Sequence, residues 1–304
     1  MDAQPTGPAQ VGCASMLHPP YNRPRISVTV ISVSHLKVTK PAREVMNDEA
    51  FLETIRQNPE DDAPRLVYAD WLEEQGDIRA EFLRLEVQCP RGALARIDSP
   101  IRKRMEVLRT EIDANWLAWV ERVNRHLFFW SNALCDHYAG LSEIGRPLRF
   151  LSGGYNLDYL KESRPIFAGD YIFPFRIRNR RVFVLARMRV REITTQEAYL
   201  AARPNDARLI FYPWFRQIFV GDAGTILRLD APVPRPIVRR LRFKGLSSEF
   251  APKSLASGDV LHSGDLQGVL LLTARSAIDF NRCVAGLPFP DLPPEEANLF
   301  ARDV

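Results

Sequence analysis

The chain has 304 residues, enough for two domains of ordinary size. Its 46% hydrophobic and 26% charged residues exclude a disordered or fibrous chain. No run nears the roughly 18–20 apolar residues that span a bilayer, and the first residues lack the basic-then-apolar order of a signal peptide, so a cytoplasmic protein with no membrane contact is expected. The net charge of +4 hides an asymmetry. Residues 46–88 carry 12 acidic against 4 basic side chains, whereas residues 146–192 carry 11 basic against 4 acidic. Regions of opposite sign attract different partners. The four cysteines, Cys13, Cys89, Cys135 and Cys283, are scattered and suggest no disulfide framework. Cys135 and His137 lack a second ligand pair at zinc spacing, so they read as a buried thiol beside an ordinary histidine, and neither metal nor cofactor is expected.

Residues 1–45 are proline-rich, with one alternating stretch at 26–36 and no ladder partner nearby, so poor order is expected there. Met46 stands at the head of the first well-patterned segment and reads as the native initiator. From there the signals are helical. Asn47 or Asp48 caps a helix with Phe51, Leu52 and Ile55 on its apolar face, and Asn58-Pro59 stops it. A second helix starts after Asp61 or Asp62 with Pro64 in its first turn, and Gly76 ends it. Asp77 caps a third helix with Ile78, Phe82, Leu83 and Leu85. Ile101, Met105, Leu108, Ile112, Trp116 and Val120 predict one fourth helix running to about residue 123.

The run DDAPRLVYADWLEEQGD, followed by RAEFLRLE and later by Leu108 and Trp116-Leu117, resembles the bacterial repeat-companion domain over residues 46–123. Asp70-Trp71-Leu72 and Glu81-Phe82 fall at that family's spacing. The resemblance implies no enzymatic activity and suggests a module that recruits a protein partner, with Tyr68, Asp70, Trp71, Glu81 and Phe82 as its contact residues. Aromatics at helical spacing equally suit a core, with Asp70 in a local cap or salt bridge. No internal repeat of 20–50 residues accompanies the module.

Residues 124–145 are aromatic-rich and predict a connecting helix near 126–141. Residues 146–287 read as a basic, β-rich domain, and 288–304 as a tail. Here 171–177 and 182–190 form a hairpin around the polar turn 178–181, and one helical turn falls near 156–161. Further strands are expected at 209–215, 217–220, 225–229, 241–243 and 266–272, with an extended Pro232-x-Pro234-x-Pro236 link. A helix follows at 276–283, with Thr273 or Ser276 near its cap. With a period of two, Arg187, Arg189 and Arg191 leave one face of the returning strand, and Arg176 and Arg178 alternate on its partner. Such a row meets phosphate, or lies in solvent paired with carboxylates.

Several short strands with few helices suggest a small closed or partly closed barrel, and the whole chain an α+β fold. "AGDYIFPF", "VFVLARMRV" and "LRF" followed by "LQGVLLLTARSAIDF" resemble the PUA-like superfamily, in particular its EVE and ASCH-type branches, over residues 146–284. That resemblance implies a pocket for RNA or a modified DNA base, walled by Tyr155, Tyr159, Phe173, Tyr212, Trp214 and Phe215. The resulting expectation is a non-catalytic protein whose basic barrel recognises DNA or RNA through Tyr155, Tyr159, Arg176, Arg178, Arg187, Arg189, Arg191, Tyr212 and Trp214. Two other readings stand beside it. One is a protein–protein scaffold without nucleic-acid binding. The other is an ASCH-like hydrolase or nuclease, for which the chain offers only the His262-Ser263-Gly264-Asp265 loop and no P-loop, G-x-S-x-G, H-E-x-x-H or Rossmann pattern.

Overall fold

The computed structural model describes residues 47–89, 99–153, 166–222, 224–245, 248–251, 266 and 268–293. The extension 1–45, Met46, the turn near 156–161, Tyr155, Tyr159 and the His262 loop lie outside the described residues.

Capping chemistry sets the first helices. Asn47 Oδ1 accepts from the Ala50 amide at 3.0 Å and opens α1, Asp48–Gln57. Helix α2, Ala63–Glu73, has proline in its first turn. Gly76, at φ +68°, makes the left-handed exit that a side chain would strain. Asp77 Oδ1 accepts from the Arg79 amide as α3, Arg79–Gln88, begins. The single long fourth helix is corrected to two: α4, Pro100–Arg109, capped by Ser99, and α5, Ala114–Val120, where Asp113 Oδ1 accepts from the Trp116 amide at 2.9 Å. Periodicity missed the break because Ile112 and Trp116 still face the same core across it. The aspartate side chain offers the backbone a better partner than another helical turn would.

The connecting segment is also corrected. Arg125–Phe129 is strand β1, buried on both faces, so its apolar run has no period to betray it. Only Asn132–Gly140 is helical (α6), capped by Ser131. There follow β2 Phe150–Gly153, β3 Tyr171–Arg178, β4 Arg181–Val184, β5 Met188–Thr195, α7 Gln196–Ala202, a 3-10 turn Pro204–Leu209, β6 Gln217–Gly221, α8 Arg235–Arg240, β7 Phe243–Lys244, β8 Glu249–Phe250, β9 Val269–Leu271 and α9 Ala274–Ala285. Residues 209–215 are therefore not a strand. Pro213 lies in an irregular loop that lacks a neighbouring ladder. The 225–229 segment makes only one bridge, Ile226 to Pro147. The proline-rich link leads into α8, where proline in the first turn has no amide to lose. The last helix begins as expected, with Thr273 Oγ1 accepting from Ser276.

The large sheet runs β2-β6-β5-β3-β1-β9, with β4 also on β3. The β1–β3 pair is parallel and the rest are antiparallel. The fold is α+β, but among the described residues β2 and β9 do not meet, so the sheet is open and not a closed barrel. Both its faces are filled. Phe173, Phe175, Val182 and Val184 pack with α8 and α9 on one side, and Ile172, Met188 and Val190 pack with α6 and α7 on the other.

The hairpin forms with a defect that matters. Phe175 pairs with Val184 and Ile172 with Met188, so the returning strand takes four steps where β3 takes three. That bulge exchanges the faces, because side chains alternate with a period of two. A second shift lies between Val190 and Glu192. Helix α9 ties the sheet to the helical module. Its Ile278 enters the core of α1–α5, its Phe280 enters the sheet core, and Arg282 pairs with Glu53 of α1. Among the described residues no helix is long and apolar enough to cross a membrane.

Candidate nucleic-acid interface

The bulges decide where the candidate arginines go. Arg187 and Arg189 share the Tyr171 face, turned toward the helical module, whereas Arg176 shares the opposite face with Ile172. Arg187 is buried and donates to Asn281 Oδ1 at 3.2 Å and to Asn115 Oδ1 at 2.9 Å. Arg189 pairs with Asp222 at 3.0 Å and with Glu106 and Glu121 at longer range. Arg176 is buried, donates to the Leu229 carbonyl at 2.7 Å and covers the Phe183 ring. Arg178 is exposed at the end of β3, and Arg191 is exposed at the second bulge, outside the row. A continuous arginine face for phosphate is thus corrected: its central members hold the two halves of the fold together. Phe173 is corrected likewise, from a ligand wall to a fully buried core ring against Phe280.

The seam they build is centred on Glu121, just after α5. Its buried carboxylate accepts from Arg109 Nε and from the Tyr171 hydroxyl, the latter at 2.7 Å. Burial pushes this carboxyl up, but Arg109, Arg189 and the Tyr171 hydrogen bond outweigh it and leave the pKa below the ordinary value. Burial and the neighbouring Glu121 charge push the Tyr171 phenol well up, which keeps it a donor.

A different set of arginines faces solvent. The buried carboxylate of Glu143, after α6, receives Arg208 at 2.6 Å, Arg146 at 3.5 Å and Arg149 at 3.8 Å. Arg149 also reaches buried Asp206 at 3.3 Å, which accepts from the Tyr199 hydroxyl at 2.7 Å. Arg203 lies over the Tyr199 ring. Three arginines thus converge on two carboxylates, with Arg203 close by on the Tyr199 ring, and the side chains of Arg146, Arg149 and Arg208 remain 46–59% exposed. The cluster keeps excess positive charge and free donor edges at the surface.

This cluster continues into an aromatic ledge. The Arg208 carbonyl meets His137 Nε2 at 3.0 Å, and the His137 ring packs on Phe211 with centroids 5.1 Å apart. Tyr212 follows, edge-on to Phe211 and tilted against Trp214 and Phe215 at 4.6–5.4 Å, and fixed by a 2.7 Å hydrogen bond to Ser131. Trp214 is 54% exposed although it is the largest apolar side chain of the loop. No family model, curated protein or solved structure matches this chain.

Tyr212 and Trp214 are therefore together at the surface, and the arginines beside them are ones that strand alternation does not single out. Arg146 and Arg149 belong to the basic stretch visible in composition, but nothing local links Glu143 to Arg208, 65 residues on. Cys135 is buried, and burial raises its thiol pKa to about 11, while His137 belongs to the ledge.

In the helical module, Tyr68 and Phe82 are core residues and present nothing to a partner. The Tyr68 hydroxyl donates to Asp48 and accepts from Trp116 Nε1 at 3.0 Å. Trp71 is half-buried on Phe51. Asp70 and Glu81 are exposed, paired with Arg84 at 2.8 Å and Arg104 at 2.7 Å respectively.

Proposed function

We propose that this protein is a non-catalytic nucleic-acid-binding protein that grips the backbone with the Arg146–Arg149–Arg203–Arg208 cluster and stacks unpaired bases on Tyr212 and Trp214. The observation that carries the reading is the continuity of an under-neutralised arginine cluster with an exposed tryptophan ledge. Phosphate contact supplies salt-dependent affinity, and aromatic stacking supplies sequence-tolerant grip on single strands. Because both faces of the sheet are packed, the reading places contact on the outer surface and not in a base pocket. On this reading the helical module serves as the carrier, and its acidic surface, with Leu66 and Val67 exposed on α2, suits recruitment of a protein partner.

Fluorescence anisotropy with a single-stranded 20-mer and its duplex tests this. The single strand is expected to bind more tightly, with log K falling by ~0.7 per log unit of salt for each phosphate contacted. Trp214→Ala should weaken single-strand binding by roughly 5- to 150-fold, the equivalent of ~1–3 kcal/mol of stacking. Arg146→Gln with Arg149→Gln should lower the salt slope by one to two phosphate equivalents. Lack of retention on heparin at low salt, or unchanged binding in both variants, would leave the protein–protein reading in its place.

A further inference from the structure

A second cationic feature lies inside the seam. A cavity of about 190 Å³ opens between the start of α2, the end of α5, β9 and α9, lined among others by Arg65, Arg122, Arg125 and Lys244. The volume is far above the roughly 10–15 Å³ that admits one water. Lys244 and Glu60, also in the lining, are exposed, so the cavity communicates with solvent.

The charges around it lean positive, with Arg65, Arg122, Arg125 and Lys244 against Glu60 and Glu121 in the lining. Arg65 and Arg125 are both more than nine-tenths buried, and among the described residues the groups they donate to are backbone carbonyls. Arg65 donates to the Asp61 carbonyl at 2.9 Å and the Val120 carbonyl at 3.3 Å. Arg125 donates to the carbonyls of Ala118 at 3.2 Å, Glu121 at 2.5 Å and Val123 at 3.3 Å. Carbonyl groups satisfy hydrogen bonds but do not cancel charge. Arg122 pairs with Asp62, and among the described residues its buried Nε, like the Nε of Arg125, has no hydrogen-bond partner. Glu60, in the lining, favours the charged form of Arg125, and Asp62 that of Arg65, but the remaining carboxylates are committed elsewhere. Glu121 is held by Arg109, Arg189 and Tyr171. Glu86 accepts from the Arg122 amide, and burial and Glu121 push its pKa up, toward the neutral acid. Burial, and then the Arg122 and Arg125 charges, push Arg65 down to about 10 despite the opposing pull of Glu86 and Asp62. Burying more guanidinium charge than the carboxylates at hand offset is costly, and an oxyanion in the cavity would reduce that cost.

We infer that this seam cavity is a binding site for one small tetrahedral oxyanion, of the inorganic phosphate class, held by Arg65, Arg122 and Arg125. The ion would join the helical module to the sheet, because Arg65 and Arg122 come from one and Arg125 from the other. The site is independent of the arginine cluster at Glu143 and does not require the nucleic-acid reading.

The test is isothermal titration of the full chain with sodium phosphate, against sodium chloride at matched ionic strength, with thermal unfolding in parallel. One phosphate per chain with Kd of about 1 mM or tighter, and a phosphate-specific rise in Tm, is the expected result. Arg125→Gln should weaken binding by at least about tenfold, the effect of one charge-assisted contact. Since that variant also loses contacts to three carbonyls, Lys244→Gln, at an exposed residue of the lining, is the second arm, expected to weaken binding severalfold. Absence of saturable binding in the native chain, or binding unchanged in both variants, overturns the assignment. Competition by a 5′-phosphorylated oligonucleotide but not by its unphosphorylated form would overturn the free-ion assignment in favour of a nucleic-acid end.

Discussion

Glu121→Ala is expected to destabilise the protein by about 3–5 kcal/mol, the usual cost of removing one partner from a buried ion-pair network. The carboxylate is inaccessible, and Arg109, Arg189 and the Tyr171 hydroxyl all converge on it. Without it, two guanidinium groups lose a buried counter-charge and a buried phenol loses its acceptor. Thermal unfolding should fall by roughly 5–9 °C at this chain size. Glu121→Gln keeps an acceptor and should lose less. The effect has a pH signature. A carboxyl whose folded pKa lies below its unfolded value contributes stability that is fully present above the unfolded value of about 4.5 and is lost as pH falls through the folded one. Native stability should therefore drop on acidification below about pH 4.5, and Glu121→Ala should lack that component. Equal stability of Glu121→Ala and the native chain at pH 7, by urea unfolding, would contradict the network. It follows that charge reversal at Arg187 or Arg189 reports on this seam, and a loss of ligand binding in such variants says nothing about contact with the ligand.

Phe173→Ala should cost about 3–5 kcal/mol, as for other large aromatic-to-alanine changes in packed cores. The ring is fully buried on β3, 5.9 Å from Phe280 of α9, at the heart of the core that joins sheet, α8 and α9. Trp214→Ala is the informative contrast. Its side chain is mostly exposed, so its removal should change unfolding by less than about 0.5 kcal/mol. One aromatic thus carries stability and the other is available to a ligand. If the Phe173 variant melted normally and lost binding instead, the assignment of that ring to the core would fail.

The helical module was legible because its signals are local. Asn47, Asp77 and Thr273 sit at helix starts, Gly76 takes the left-handed exit, and Pro64 lies in a first turn. The hairpin 171–190 and β6 were legible for the same reason, since alternation and turn residues act within a few positions. Strand β1 was not legible. A strand covered on both faces looks like any apolar run, and its identity depends on β3 and β9, which lie far along the chain.

The amino-acid sequence by itself determined the α+β class, the capped helices, the charge asymmetry and the presence of Tyr212 and Trp214 in a proline-bearing loop. Only the tertiary structure decided which arginines reach solvent. One extra residue between Val184 and Met188 turns Arg187 and Arg189 inward, toward Glu121 and Asn115, because register alone assigns a side chain to a face. The exposed arginine cluster, in turn, exists only because folding brings Arg208 to Glu143, and Asp206 to Arg149, beside Arg146. Electrostatic contacts of that range leave no periodic trace in a sequence.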